Sequence, residues 1–234
     1  MAGLQKIPTL CIVIPTLNEA SRLPLLLADL NAWPEKLELI IVDGGSTDLT
    51  VSIAQIQNIK VINSLQSNRG YQLGLGASNA RSDWLLFLHA DSRLDPRWVK
   101  SILNIISNLS SKDFAWYFDF KIKENALQFK ILEIAVFLRS IILKRPYGDQ
   151  GLLIHKSLYN ITGGFSSLKI MEDLDFISRI TKKNKLKRIG ASLYTDKKKW
   201  ANSNIIMRAI KNARLRRKWR KGYDINQLSE EYYA

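Results

Sequence analysis

The chain has 234 residues, of which 46% are hydrophobic, 9% aromatic and 24% charged. That is the composition of a globular protein long enough to bury a core without covalent staples, and it excludes wholesale disorder and low-complexity architectures. A single cysteine excludes an internal disulfide and a cysteine-rich zinc site, and two histidines are too few for a His-rich metal centre.

The net charge of +14 is unevenly placed. Residues 1–120 sum to −1 and residues 121–234 to +15, and the stretch from Lys197 to Lys221 holds 11 basic residues and no acidic one. Such a block attracts nucleic acid, acidic headgroups or phosphorylated substrates, or is simply a solvated face. The first residues lack the long apolar run of a secretory leader. Ile131 to Leu143, which contains Glu133 and Arg139, is too short and too charged to span a bilayer. The expectation is a cytoplasmic protein.

In chain order, Leu10 to Ile14 reads as a buried strand closed by Pro15, with Cys11 an inert core residue. Leu23, Leu26, Leu27 and Leu30 share one face of a helix with Ser21 as its N-cap and Pro24 in its first turn; Trp33-Pro34 stops it. Leu37 to Val42 is a second strand. Ser46 or Thr47 caps a helix to about Gln57, with Asp48 in its first turn beside the dipole. Lys60 to Asn63 is a third strand, Arg69 to Ala80 a helix, and Trp84 to Leu88 a fourth strand. Asp95-Pro96 opens a helix to about Leu109. Beyond residue 110 come a strand (Ala115 to Ile122), an apolar helix (Ala126 to Leu143), a strand (Gly151 to His155), a helix (Glu172 to Lys183) and an extended stretch (Leu186 to Tyr194).

Strands alternating with helices of this length imply βαβ units, hence an α/β fold with a mostly parallel central sheet and helices on both faces. The division expected is one domain over residues 1–196 and a basic helical extension over 197–234. In such sheets ligands bind beyond the carboxyl ends of the strands. Polar clusters stand at those ends: Pro15 to Glu19, Asp43 to Ser46, and His89 to Asp91.

Each cluster has a functional and a structural reading. Asp91 either holds Mg²⁺ or Mn²⁺ against a diphosphate or caps the turn from Ser92 to Pro96. Asp43 before Gly44-Gly45 either accepts a hydrogen bond from a base or ribose or closes an Asx turn. Asn18-Glu19 contacts ligand or enters a helix. Arg69-Gly70 either grips phosphate at a helix start or is surface. Glu172, Asp173 and Asp175 either favour a helix N-terminus or include a general base.

The order of these motifs is more specific than any one of them. Ile14-Pro-Thr-Leu-Asn-Glu19, Val42-Asp-Gly-Gly-Ser-Thr-Asp48, Asn68-Arg-Gly70, Phe87-Leu-His-Ala-Asp-Ser92, Gly163-Gly-Phe165 and Met171-Glu-Asp173 together resemble the family 2 glycosyltransferases of GT-A fold, across about residues 8–200. The likeness is closest to a small bacterial subgroup with a Pro-Tyr-Gly-Asp-Gln-Gly segment, here Pro146 to Gly151. The resemblance implies an inverting, metal-assisted transfer of a sugar from a UDP- or GDP-linked donor to a hydroxyl acceptor. It implies that Pro15, Thr16, Asn18, Glu19, Asp43, Gly44, Arg69, Gly70 and Ala90 hold the nucleotide sugar and that Asp91 binds the metal. It places Gly148, Asp149, Gln150 and Glu172 on the acceptor side and makes Asp173 the general base. Ser46 and Asp48 fall in the same motifs but cap the helix. The family's metal motif is usually Asp-x-Asp; here its first position is His89, a second ligand or a sugar contact. Lys197 to Trp200 echoes a motif of processive synthases, with no transmembrane span after it, and Lys197 to Lys199 are candidate cations for the leaving diphosphate.

Two other classes compete with this reading. A nucleotidyltransferase wants a Gly-rich triphosphate loop after the first strand, and residues 15–22 contain no glycine. A nucleic-acid-binding protein would use the basic tail, with Trp200 and Trp219 stacking on bases, but leaves the acids at successive strand ends unexplained. In the tail, Ile205, Ile206, Ala209, Ile210, Ala213 and Leu215 approximate an apolar stripe flanked by Lys and Arg. That stripe either lies on an anionic membrane, in keeping with a lipid-linked acceptor, or packs on the domain.

Overall fold

A computed structural model describes residues 9–124, 126–183, 185–195 and 205–233. The elements are β1 (Leu10–Thr16), α1 (Leu23–Leu30), β2 (Glu38–Asp43), α2 (Thr50–Ile56), β3 (Lys60–Asn63), α3 (Arg69–Asn79), β4 (Trp84–Phe87), β5 (Ser92–Leu94) and α4 (Trp98–Ile106). They continue with β6 (Ala115–Ile122), α5 (Leu127–Ile142), β7 (Leu152–His155), α6 (Lys156–Ile161), α7 (Glu172–Thr181), β8 (Leu186–Thr195), α8 (Ile205–Arg220) and α9 (Ile225–Tyr233). Short 3₁₀ turns lie at Leu109–Asp113 and Gly148–Gln150.

The strands form one sheet in the order β3-β2-β1-β4-β7-β6-β8-β5. The first half is parallel: β1 pairs with both β2 and β4, and β2 with β3. β7 then runs antiparallel to β4, and β6 antiparallel to β7, while β8 is parallel to β6 and β5 antiparallel to β8. The α/β class and the mostly parallel sheet flanked by helices are therefore as expected, with reversed strands confined to the second half.

The sheet is buried on both faces at its centre because β1 is apolar from Leu10 to Pro15. Leu10, Ile12 and Ile14 face a core with α1 and α4, where Leu23, Leu26, Leu27, Trp98 and Ile102 meet them. Cys11 and Val13 face the opposite core with α3, α6 and α7. The two sets separate because successive strand residues point to opposite faces. Burial pushes the Cys11 thiol above its ordinary pKa, so it stays protonated and inert, as its setting in the strand implies.

Several local expectations need correction. Ser21 does not cap α1; the N-cap is Arg22 with no side-chain cap, and the Glu19 carbonyl accepts from the Arg22 and Leu23 amides instead. Ser46 and Thr47 do not cap α2, whose N-cap is Leu49. Asp48 takes that part, with Oδ1 accepting from the Thr50 amide (3.0 Å) and hydroxyl. The Thr50 hydroxyl, with backbone amides behind it, holds the Asp48 carboxyl below its usual range. The segment after Asp91 is a short strand, β5, and the helix beyond it starts only at Trp98.

The basic tail is packed, at least in part. Leu215 of α8 and Leu228 of α9 cluster with Ile170, Met171 and Leu174 and are closed from solvent. Of the expected apolar stripe, Ile210 and Ala213 are exposed, and the side chains of Ile205, Ile206 and Ala209 lie outside those described. The expected boundary at residues 196/197, Lys197 to Lys199 and Trp200 also lie outside the described residues. Among the described residues, no helix is long and apolar enough to cross a membrane.

Gly76 lets α3 settle on the sheet. A Cβ there would fall inside the contact radius of Val13 Cγ1 and lie 3.1 Å from Val42 Cγ2, whereas one at Gly74 would meet only the Phe165 carbonyl at 3.6 Å. Gly76→Ala is expected to destabilise the fold by about 1–3 kcal/mol through overpacking. Gly74→Ala, two residues away in the same helix, should be neutral or stabilising by up to about 1 kcal/mol through helix propensity. Urea denaturation of the two variants checks the contrast.

Candidate active site

Parallel pairing places the carboxyl ends of β1, β2 and β4 on one edge. Thr16 stands opposite Asp43, Asp43 opposite Asn63, and Val13 opposite Phe87. β7 enters antiparallel with Leu152 opposite Phe87, so the 146–151 loop arrives at that edge as well. The strand-end clusters and the Pro146 to Gly151 segment thus converge, as the chain order of the motifs implied.

The first two loops are tied to each other. Asp43 is buried and accepts from the Thr16 hydroxyl (2.9 Å), the Ser46 hydroxyl (2.5 Å) and the Gly45 and Ser46 amides (3.0 and 2.7 Å). This is the Asx turn, and it occupies both carboxylate oxygens. The Ser46 hydroxyl also accepts from the Asn18 amide (2.8 Å), and Asn18 Oδ1 accepts from the Thr47 amide (2.8 Å). Asn18 holds this position with a left-handed backbone, φ 55°, which asparagine tolerates better than most residues. Glu19 donates its amide to Thr50 Oγ1 (2.8 Å) and its carboxylate pairs with Arg22. Pro15 and Ala90 are buried in the strand ends. Gly44 donates its amide to the Thr16 carbonyl (2.8 Å). Gln72, which the motifs did not mark, donates from one amide nitrogen to both the Thr16 and Val42 carbonyls (3.0 and 2.8 Å) and locks α3 to the two strand ends. A polar residue inside the apolar face of α3 was the available signal.

The third group centres on α7. Met171 turns into it through a left-handed backbone (φ 65°) and packs with Leu215 and Leu228, so Glu172 and Asp173 diverge from a core-facing position. Glu172 is 1% exposed and its carboxylate pairs with Arg69, while its Oε2 has no hydrogen-bond partner. Burial pushes the Glu172 carboxyl above its ordinary range, and Arg69 opposes that shift without cancelling it. The acceptor-side expectation for Glu172 changes as a result, because its carboxylate is closed from solvent; Arg69 donates Nε to it at the α3–α7 junction while 41% of the arginine side chain stays exposed. Gly70 is also enclosed, facing the Ser166 carbonyl and Glu172 Cβ.

Asp173 is half-buried. Its Oδ2 accepts from the Gly148 amide (2.7 Å) and its Oδ1 from the Leu174 amide (2.7 Å). A Cβ on Gly148 would lie 3.0 Å from His89 Nε2 and 3.3 Å from Asp173 Oδ2, so the imidazole and the carboxylate close on the same point. A cavity of about 30 Å³ lined by His89, Tyr147, Gly148, Glu172 and Asp173 lies behind them, too small for a sugar. Asp149 is half-buried beside Gly148, but Gln150 is 1% exposed. Gln150 donates to the Phe118 carbonyl (3.1 Å) and accepts from Ser140 (2.9 Å) and Arg139 (3.1 Å), so it braces the loop rather than facing an acceptor. Tyr147 is covered by Arg139 at 3.6 Å and by Arg216 of α8 at 5.1 Å. Burial pushes the Arg216 guanidinium down, and Tyr147, Asp173 and Asp149 act against that. Arg216 was hidden in the sequence because it is one cation in a run of many.

His89 and Asp91 are half-buried at the end of β4. Among the described residues, no three His, Cys, Asp or Glu side chains gather into a metal cage. One carboxylate with one imidazole two positions before it does fit a Mg²⁺ or Mn²⁺ that takes its remaining oxygens from substrate phosphates.

Residues 11–169 match the family model described as glycosyl transferase family 2. Over 178 residues, 72% of this chain and 68% of the relative, the chain is 29% identical to the PGL/p-HBAD biosynthesis glycosyltransferase of Mycobacterium tuberculosis. Over 94 residues it is 37% identical to the 4,4'-diaponeurosporenoate glycosyltransferase of Staphylococcus haemolyticus, a match that spans 37% of this chain and 25% of that relative. The mannosyltransferase PcManGT of Pyrobaculum calidifontis, solved with GDP-Man and Mn²⁺, superposes with a TM-score of 0.64 at 16% identity, covering 98% of this chain and 70% of that one. TarS of S. aureus, solved with UDP-GlcNAc, gives 0.61 at 18% identity over 80% of this chain and 58% of that one. These likenesses are of the GT-A fold. With its strand-end motifs converging in that fold and well over half its length inside the family match, the chain belongs to glycosyl transferase family 2.

Proposed function

We propose that the chain transfers a sugar, with inversion, from a UDP- or GDP-linked donor to a hydroxyl acceptor, and that it belongs to the bacterial subgroup marked by Pro146 to Gly151. The observation that carries this reading is the meeting of Asp173 and His89 at Gly148, on the edge where the parallel strands end. The relatives lend support: one solved neighbour holds UDP-GlcNAc and another GDP-Man with Mn²⁺.

Inversion needs one base on the face of the sugar opposite the leaving diphosphate. Asp173 is that base, taking the proton from the acceptor hydroxyl as its oxygen attacks the anomeric carbon. The Gly148 and Leu174 amides fix the carboxylate in place, and such preorganisation contributes to rate by removing the cost of orientation at the moment of reaction. Asp91, with His89, would hold a divalent metal, Mg²⁺ or Mn²⁺, whose chemistry is neutralisation of the diphosphate. Arg216 supplies further positive charge beside Asp173 and Asp149. Thr16, Asn18, Asp43 and Gly44 form the braced wall against which the nucleotide rests, Asp43 acting through the loops it holds.

Asp173→Asn keeps the shape and one of the two amide contacts, since its single oxygen accepts from only one N–H, and it removes the proton acceptor. Transfer should fall by roughly 10²–10⁴-fold with nucleotide affinity nearly unchanged. Glu172→Gln should act differently, lowering stability by about 1–3 kcal/mol, because it leaves Arg69 without its counter-charge; exposure of the arginine keeps the loss below that of a fully buried pair. Donor–acceptor assays and thermal melting on both variants separate the two roles, and near-normal turnover by the Asp173 variant would exclude it as the base.

Asp91→Asn should weaken Mn²⁺-dependent binding of UDP or GDP by about tenfold or more while leaving metal-free binding unchanged. Titration calorimetry with each nucleotide, with and without Mn²⁺, measures it. Equal affinities with metal present would remove Asp91 from the metal site.

A further inference from the structure

Helix α5 is apolar on two faces. Phe129, Val136 and the half-buried Leu132 pack against Phe120 and Ile122 of β6. On the other side Leu127, Ile131, Ile134, Leu138, Ile141 and Ile142 are between 41% and 74% exposed. At 100° per residue those six fall within an arc of about 100°, so they form one continuous stripe along four turns rather than scattered surface residues. A stripe of that length exceeds the isolated apolar side chains of an ordinary protein surface and marks an interaction face.

Charge identifies the occupant. The acid of the helix, Glu133, is turned inward, where it pairs with Lys121 (2.7 Å) and accepts from the Ile122 amide (2.8 Å). Lys130 stands exposed at the edge of the stripe, and Lys144 and Arg145 follow its end. At the start of the helix Lys123 and Glu124 balance. A second copy of the chain would set these cations against like charges, within a protein that already carries +14. Anionic lipid headgroups complement them, and acyl chains complement the stripe.

We propose that α5 seats the protein on an anionic bilayer, with the Leu127–Ile142 stripe in the headgroup–acyl boundary and Lys130, Lys144 and Arg145 at the headgroups. This contact lies on α5, a face separate from the basic tail, whose Leu215 is buried in the domain. The docking itself is independent of the proposed reaction. Its corollary, that the acceptor hydroxyl belongs to a membrane-borne molecule, rests on that reaction.

The test uses the full chain with vesicles of phosphatidylcholine alone and of phosphatidylcholine with phosphatidylglycerol. Sedimentation should show preferential binding to the anionic vesicles. The triple substitution Ile131→Gln, Ile134→Gln, Leu138→Gln, all at exposed positions, should weaken binding by roughly tenfold or more, since interfacial affinity scales with apolar area inserted. A second measurement does not depend on that variant. Because Cys11 is buried, Leu138→Cys can be labelled singly with a polarity-sensitive dye, and its emission should shift to the blue on anionic vesicles, while a label at Leu65→Cys should not shift. Absence of binding to anionic vesicles, undiminished binding by the triple variant, equal dye shifts at both positions, or a solution dimer that the triple variant dissolves would each overturn the docking. Vesicle binding without sugar transfer would overturn only the catalytic reading.

Discussion

Parallel pairing of β1 with both β2 and β4 is the constraint from which the site follows. Parallel strands must all leave the sheet at one edge, so the polar residues that end each strand are gathered there without direct attraction between them. Such strands need helices on both faces, because neither face is left for water. β1 meets this demand with an unbroken apolar run, and its two cores are its even and odd positions. Gly76 and Gln72 serve the same pairing from α3: one lets the helix approach, the other satisfies two strand-end carbonyls that burial would otherwise leave unpaired.

A second layer of structure turns an edge into a site. Asp43, Ser46 and Asn18 bind the first two loops into one wall, and each spends its side chain on backbone or on its neighbours. On the facing side, the buried Glu172 carboxylate is matched by Arg69 across 103 residues of chain, which fixes the start of α7 against the start of α3. That contact decides which acid is presented: Glu172 is consumed by structure, and Asp173, one residue and about 100° further round the helix, is left at Gly148 beside His89. Here a charged pair orients and a neighbouring carboxylate is available for chemistry.

The second half of the chain departs from the alternating pattern, and its sheet mixes directions accordingly. α5 shows the consequence of a helix with more apolar surface than the domain can cover. α8 and α9 cover other apolar surface, at Met171 and Leu174, and bring Arg216 over Tyr147. The tail is thereby part of the site's surroundings.

The sequence by itself determined the α/β class, nearly every strand and helix, and the convergence of motifs at strand ends, because hydrophobic periodicity and the order of loops are local properties. It also foresaw the Asx turn as one reading of Asp43. The cap of α1, the strand β5, the pairing of Arg69 with Glu172, the bracing role of Gln150 and the position of Arg216 were decided by tertiary structure. All but the α1 cap, which the nearby Glu19 carbonyl supplies, depend on a partner further along the chain, and a side chain's type does not reveal whether its hydrogen bonds are made to a ligand, to water or to a distant backbone. The exposure of α5 belongs to the same class: its apolar residues are plain in the sequence, but which stripe is buried and which faces outward is set only by where β6 lies.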